Sequence, residues 1–155
     1  MIISPKAFDI HQSFWELLEY DPLGFRLNWC TADDAKGALE AAKYKDEAAF
    51  AEDTMIYCYQ GIGLMAQGIH RPYIARLLSM TADKRGLSVL DVGSGSGQLA
   101  LALHELGYVV SIADLWGQSI KFAAWRFRRR GIDIPIYVLN VMPPVAVPFH
   151  NIVTC

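Results

Sequence analysis

The chain has too few cysteines to be held together by them. Cys30, Cys58 and Cys155 are far apart and odd in number, so neither a disulfide framework nor a paired-cysteine zinc knuckle is expected. His11, His70, His104 and His150 show no metal-ligand spacing, and no metal site is predicted. No stretch approaches the roughly 18 uninterrupted apolar residues of a membrane span. The start, MIISPKAFDIHQ, lacks the basic and then apolar regions of a secretory signal. A basic surplus is missing too, since net charge is −2. That argues against a dedicated nucleic-acid binder of high pI without excluding an RNA substrate. These absences together predict a cytoplasmic, reducing setting and no membrane attachment.

What remains is an apolar chain of 155 residues, 53% hydrophobic and 19% charged, long enough for a sizeable core. Its charge is unevenly placed: residues 1–60 carry 11 acids and 5 bases, residues 61–155 carry 5 acids and 9 bases. Residues 1–80 read as a helical segment with no strand. Ser4-Pro5 suits a helix start, and Phe8, Trp15 and Leu18 fit one inward face of a helix ending near Tyr20. The turn Asp21-Pro22-Leu23-Gly24 follows. Residues 31–45 have helical composition, and Asp46 is placed to cap a helix through Phe50, Met55 and Tyr59 to Gly61 or beyond. His70-Arg71-Pro72 opens another helix, Tyr73 to Met80, with Ile74, Leu77 and Leu78 inward.

Beyond the polar turn at residues 81–86 the pattern alternates strand and helix, which implies parallel strands joined by crossover helices. Leu87 to Asp91 is the first strand. Its helix, Gln98 to Leu106, puts Leu99, Ala102, Leu103 and Leu106 on one stripe, and Gly107 ends it. Tyr108 to Ala113 is the second strand. A helix from about Gly117 to Arg130 buries Ile120, Ala123, Ala124 and Phe127. Ile134 to Leu139 forms a third strand, and Ile152 to Cys155 a fourth apolar run. A terminal strand without a covering helix leaves a sheet edge that proteins usually protect. The expectation is therefore that further C-terminal strands follow in a longer protein, or that another chain, in a homo-oligomer for example, covers the edge.

The stretch LSVLDVGSGSGQLALALHELGYVVSIAD, residues 87–114, carries the chemistry. An acid, Asp91, ends the first strand; glycines follow at 93, 95 and 97; a second acid, Asp114, ends the second strand. Alternate glycines allow a tight turn and close approach of a ligand to the backbone. The next helix points its unpaired N–H groups at the same spot. Dinucleotide folds want Gly-x-Gly-x-x-Gly, but the third glycine would fall on Gln98. Asp91 beside the turn would repel a pyrophosphate and suits an ammonium group.

With LDVGSGSG as it stands, this stretch resembles motif I of the class I S-adenosylmethionine-dependent methyltransferases, and the resemblance covers Leu87 to Cys155. It implies an α/β fold, a Rossmann-like parallel sheet with crossover helices in three layers, here preceded by an all-helical N-terminal segment. Residues 1–80 would then be a cap or acceptor-selecting segment, and residues 81–155 the S-adenosylmethionine-binding core. By the same resemblance Asp91, Gly93, Ser94, Gly95 and Gly97 would line the methionine moiety. Asp114 would hold both ribose hydroxyls, Leu115 would touch the adenine face, and Asn140 with Val141 would meet the adenine edge. His150 stands where the family often has an acid. Tyr57, Tyr59 and Tyr73 are expected first as core of the helical segment; because an aromatic residue upstream of motif I often covers the cofactor in this family, one of them, or Trp116 further along, is the alternative candidate for that role.

The implied reaction is transfer of a methyl group to an oxygen, nitrogen or carbon of an acceptor. Small-molecule, protein and RNA acceptors all fit, and no catalytic residue can be named. A cofactor-binding module without catalysis is the alternative, with another nucleotide-binding Rossmann-type enzyme behind it. Arg126, Arg128, Arg129 and Arg130 are expected on a solvated helix end, where they complement the helix dipole, rather than on an RNA-binding surface.

Overall fold

A computed structural model describes residues 10–23, 49, 52–69, 71–81, 86–139 and 151–154. The elements are α1 (Ile10–Tyr20), α2 (Ile56–Ala66), α3 (Arg71–Thr81), β1 (Ser88–Val92), α4 (Gln98–Glu105), β2 (Val109–Asp114), α5 (Gln118–Arg130), β3 (Ile136–Val138) and β4 (Asn151–Thr154). The four strands form one parallel sheet in the order β3-β2-β1-β4. The chain thus steps outward twice from β1, then returns to its other side. The reversal falls between β1 and β4, where open parallel sheets place their ligands.

Strand alternation sets the core. Val89, Val110 and Ile112 are buried with Leu99, Leu101 and Leu103 of α4 and with Ile120, Ala123 and Phe127 of α5. Leu90 and Val92 point the opposite way and are half-buried. The predicted stripe on α4 is too narrow, because Ala100 and Leu101 are as fully buried as Ala102 and Leu103. On α5, Ala124 is only partly buried. β3 is shorter than predicted. Pro135 has no N–H to give, although its carbonyl still accepts from Ile112 at 2.9 Å.

A second cluster, Leu17, Cys58, Tyr59, Ile62, Met65 and Phe122, joins α1 and α2 to the outer face of α5. Here the structure corrects two readings. Trp15, predicted inward, is 68% exposed, while Leu17 is fully buried. The inward face of α1 runs through Ser13, Glu16 and Leu17, two of them polar, so an apolar stripe could not reveal it. The helix predicted to run unbroken through Met55 is interrupted at residues 54–55, and α2 begins afresh at Ile56. It then continues through Gly61 and Gly63 to Ala66.

The polar face of α1 meets α5. Arg126 is fully buried. Its Nε donates to Glu16 at 2.8 Å, its Nη1 to the Ser96 carbonyl at 2.9 Å and its Nη2 to the Ser13 hydroxyl at 3.2 Å. Arg130 donates to both oxygens of the same glutamate, at 2.7 and 3.0 Å. The expectation of four solvated arginines is therefore wrong for Arg126, and Arg130 is nearly buried. Burial alone would raise the Glu16 carboxyl, but the Arg130 hydrogen bond and the charges of Arg126 and Arg130 outweigh it and hold it below the ordinary glutamate range. Cys58 lies against the Ser119 hydroxyl at 3.6 Å, and burial pushes its thiol up to about 12.

Among the described residues no helix is long and apolar enough to cross a membrane, and no group of three or more His, Cys, Asp or Glu could hold a metal ion.

Candidate functional site

The site is built at the C-terminal end of β1. Gly93 still donates to the Ala113 carbonyl of β2, at 2.9 Å, before the chain leaves the sheet. Gly93, Gly95 and Gly97 all have positive φ, at 75°, 52° and 72°, a region that costs an L-residue with a Cβ. The turn closes where Gly97 donates to the Ser94 carbonyl at 2.9 Å, and α4 starts at once with Leu101 donating to the Gly97 carbonyl. Space as well as φ selects glycine at position 97. A Cβ there would lie 2.6 Å from Cζ of Phe127 on α5. At Gly95 an added Cβ would meet nothing within 4 Å, so that face of the turn is open.

A cavity of about 350 Å³ opens at the turn, within the usual range for small-molecule sites. Gly93, Ser94, Gly95, Asp114 and Leu115, all predicted from sequence, form part of its wall. Tyr57, Gln60, Gly61 and Leu64 of α2 form the opposite side, and Ser96, Gln98, Gly117 and Ser119 complete it. The α2 contribution had one legible signal, the aromatic positions upstream of the turn. Of these Tyr57 lines the cavity, whereas Tyr59 is fully buried and donates to Asp21 at 2.8 Å. Trp116 is 40% exposed, with the Lys121 ammonium 5.3 Å from its ring centre, and is not part of the wall. The Tyr73 side chain, Asn140, Val141 and His150 lie outside the described residues.

Gly97 and Asp91 do not reach the wall. Gly97 packs the turn against α5 rather than facing the cavity. Asp91 is fully buried, and neither of its carboxylate oxygens meets a hydrogen-bond partner. Burial, reinforced by the charge of Asp114, raises its carboxyl to about 7 against a weaker opposing pull from the backbone of Ala100. A buried carboxylate with so little hydrogen bonding is costly when ionised, and a cation nearby would offset that cost. Asp114 is half-buried on the wall. It accepts from the backbone N–H of Gly95 and, at 2.7 Å, from that of Leu115. A carboxylate offers about four acceptor positions, and this one faces the cavity. Ser94 Oγ, on the wall, is likewise a buried oxygen without a partner. The arrangement suits a ligand with hydroxyls for Asp114, a polar group at an open glycine backbone and positive charge near Asp91.

No protein-family model matches the chain. The ubiquinone biosynthesis O-methyltransferase of Caulobacter vibrioides is 33% identical over 76 residues, which are 47% of this chain and 30% of that protein. The structure of coclaurine N-methyltransferase bound to N-methylheliamine and SAH matches with a TM-score of 0.50 at 13% identity, over 94% of this chain and 49% of that one. A protein-L-isoaspartate O-methyltransferase structure matches at a TM-score of 0.45 and 15% identity, over 94% and 47%. Part of the chain is thus similar in sequence to an O-methyltransferase, and its α/β fold is similar to that of an N-methyltransferase. The chain spans less than a third of the length of its curated relative and about half of these solved structures.

Proposed function

We propose that this chain is the cofactor-binding part of an S-adenosylmethionine-dependent methyltransferase. The observation that carries the reading is the position of Asp114. A strand-end carboxylate stands on the cavity wall beside the open backbone of the glycine turn. When bound, S-adenosylmethionine supplies a methyl group activated by its sulfonium charge. The chain's own residues would do the holding. Asp114 would accept from the ribose hydroxyls, Gly93 and Gly95 would let the amino-acid end lie against the main chain, and Leu115 would give the adenine an apolar surface. Tyr57 and Leu64 of α2 would exclude water from the opposite side, so that α2 serves as a cap. Asp91, one step back from the wall, would act through its charge on a cationic ligand rather than by direct contact.

The catalytic contribution expected from such a site is positioning and exclusion of water. The acceptor is an oxygen, nitrogen or carbon nucleophile of a small molecule, protein or RNA, and the named activities of the O- and N-methyltransferase relatives favour the first two atoms. Titration calorimetry tests the reading. S-adenosylmethionine and its demethylated product S-adenosylhomocysteine should both bind, and NAD should not. Binding of NAD alone would sink it.

A further inference from the structure

The glycine turn is held from behind as well as from the sheet. Ser96 lies at its centre, buried, and is gripped on both sides. Its carbonyl accepts from Arg126 Nη1 at 2.9 Å. Its hydroxyl faces Gly61 of α2 so closely that a Cβ at Gly61 would stand 3.0 Å from Oγ. The guanidinium that holds the carbonyl has its other two nitrogens on α1, through Glu16 and Ser13. Glu16 is locked in turn by Arg130, one turn further along α5.

From this geometry we infer that Arg126 is a positioning residue that couples α1 to the ligand turn. Arg126 does not itself line the cavity, and reaches it only through the backbone of Ser96, which does. It acts through the Ser96 backbone, and a guanidinium's rigid fork of donors is what allows one side chain to hold three partners at fixed angles. Glu16 and Ser13 fix the plane of that fork. A displacement of α1 therefore moves the donor on which the Ser96 carbonyl rests, and Ser94 to Gly97 with it. By linkage the effect runs both ways: a ligand that orders the turn strengthens the docking of α1. The sequence disguises this role. Arg126 sits among arginines that look like a solvated helix end, and its partners lie 110 and 113 positions away.

The inference deepens the proposed cofactor site and uses its product, S-adenosylhomocysteine, as the probe. Three measurements on the whole chain test it. In the unaltered protein, bound S-adenosylhomocysteine should slow amide hydrogen exchange in α1 on the order of fivefold or more, and more than in α3, which has no part in the network. Unchanged α1 exchange with the ligand bound overturns the coupling. Arg126→Lys keeps a charge for Glu16 but cannot hold all three partners. It should weaken binding by about fivefold or more, while Ile134→Val, a core change remote from the network, costs no affinity at an equal loss of Tm. Equal affinities in the two variants also overturn it. If the unaltered chain does not bind S-adenosylhomocysteine, the proposed function fails and the coupling is read without ligand. Faster exchange of the Gly95 and Gly97 amides in Arg126→Lys than in Ile134→Val then supports it, and equal rates refute it.

Discussion

Gly97 shows how tightly one position can be specified. Its φ of 72° and the 2.6 Å approach of Phe127 to an added Cβ are independent penalties. Gly97→Ala should destabilise by about 2–4 kcal/mol in denaturant unfolding. Adding Phe127→Leu should recover the steric part, and a double variant whose losses simply add would show that Phe127 is not the obstacle. Asp114→Ala should weaken S-adenosylhomocysteine binding by on the order of 1–3 kcal/mol, the loss of charge-assisted hydrogen bonds, and unchanged affinity would remove Asp114 from the site. Asp91 predicts a pH dependence. Its carboxyl, raised to about 7, holds a proton more tightly when folded than when unfolded. The stability this gives is complete below the ordinary carboxylate range and is lost as pH rises through about 7. A cationic ligand favours the ionised form. Affinity for S-adenosylmethionine, which carries one more positive charge than S-adenosylhomocysteine, should therefore gain on the latter as pH rises through 7, by less than about tenfold per unit for one linked proton. Asp91→Asn should flatten that gain; a gain that survives the substitution assigns it to another group. The acids and glycines of this site were legible because spacing alone sets them at strand ends. The duties of Gly97 and Asp91 were not, since which atoms lie behind a turn depends on a helix some thirty residues further on.

At the scale of elements, α1 is the instructive case. Apolar periodicity put Trp15 inside, and the structure puts Leu17, Ser13 and Glu16 there. A helix ending before Asp21-Pro22 was legible, but its rotation was fixed by buried charge, which the pattern of apolar residues cannot register. That charge has a measurable signature. Glu16 titrates below its ordinary range, so its stabilisation is present above that range and is lost as pH falls through the lowered value. Acid unfolding should release α1 from α5, seen as exposure of Trp125, which packs against Tyr20 at 5.3 Å. Glu16→Gln should cost about 3–5 kcal/mol near neutrality because Arg126 is left buried without its counter-charge. Replacing Glu19, whose partner Arg129 is exposed, should leave Tm unchanged. A small effect of Glu16→Gln would mean that the network is wetter than its burial implies. The alternating strands and crossover helices were far easier to read than α1. Each needs only local periodicity and a glycine stop, as at Gly107 and Gly131, and their parallel order follows from the crossovers themselves.

For the molecule as a whole, α5 is the shared wall of both hydrophobic clusters, with Phe127 and Ala123 turned to the sheet and Phe122 turned to α1 and α2. The described helices and sheet should therefore unfold together. Far-ultraviolet and tryptophan-fluorescence melts should coincide, and Phe122→Ala should lower both midpoints, at about 3–5 kcal/mol. Separate midpoints would show α1 and α2 to be an independent unit. Cys58 turns this cooperativity into a clock. Its sulfur is fully buried between α2 and α5, and its thiol, at about 12, carries almost no reactive thiolate near neutral pH. With Cys30 and Cys155 replaced by serine, an alkylating reagent can mark the protein only when α2 swings off α5. The marking rate then counts those openings one molecule at a time, with no denaturant present. Its slowing on addition of S-adenosylhomocysteine would measure how firmly a filled cavity holds its own cap shut.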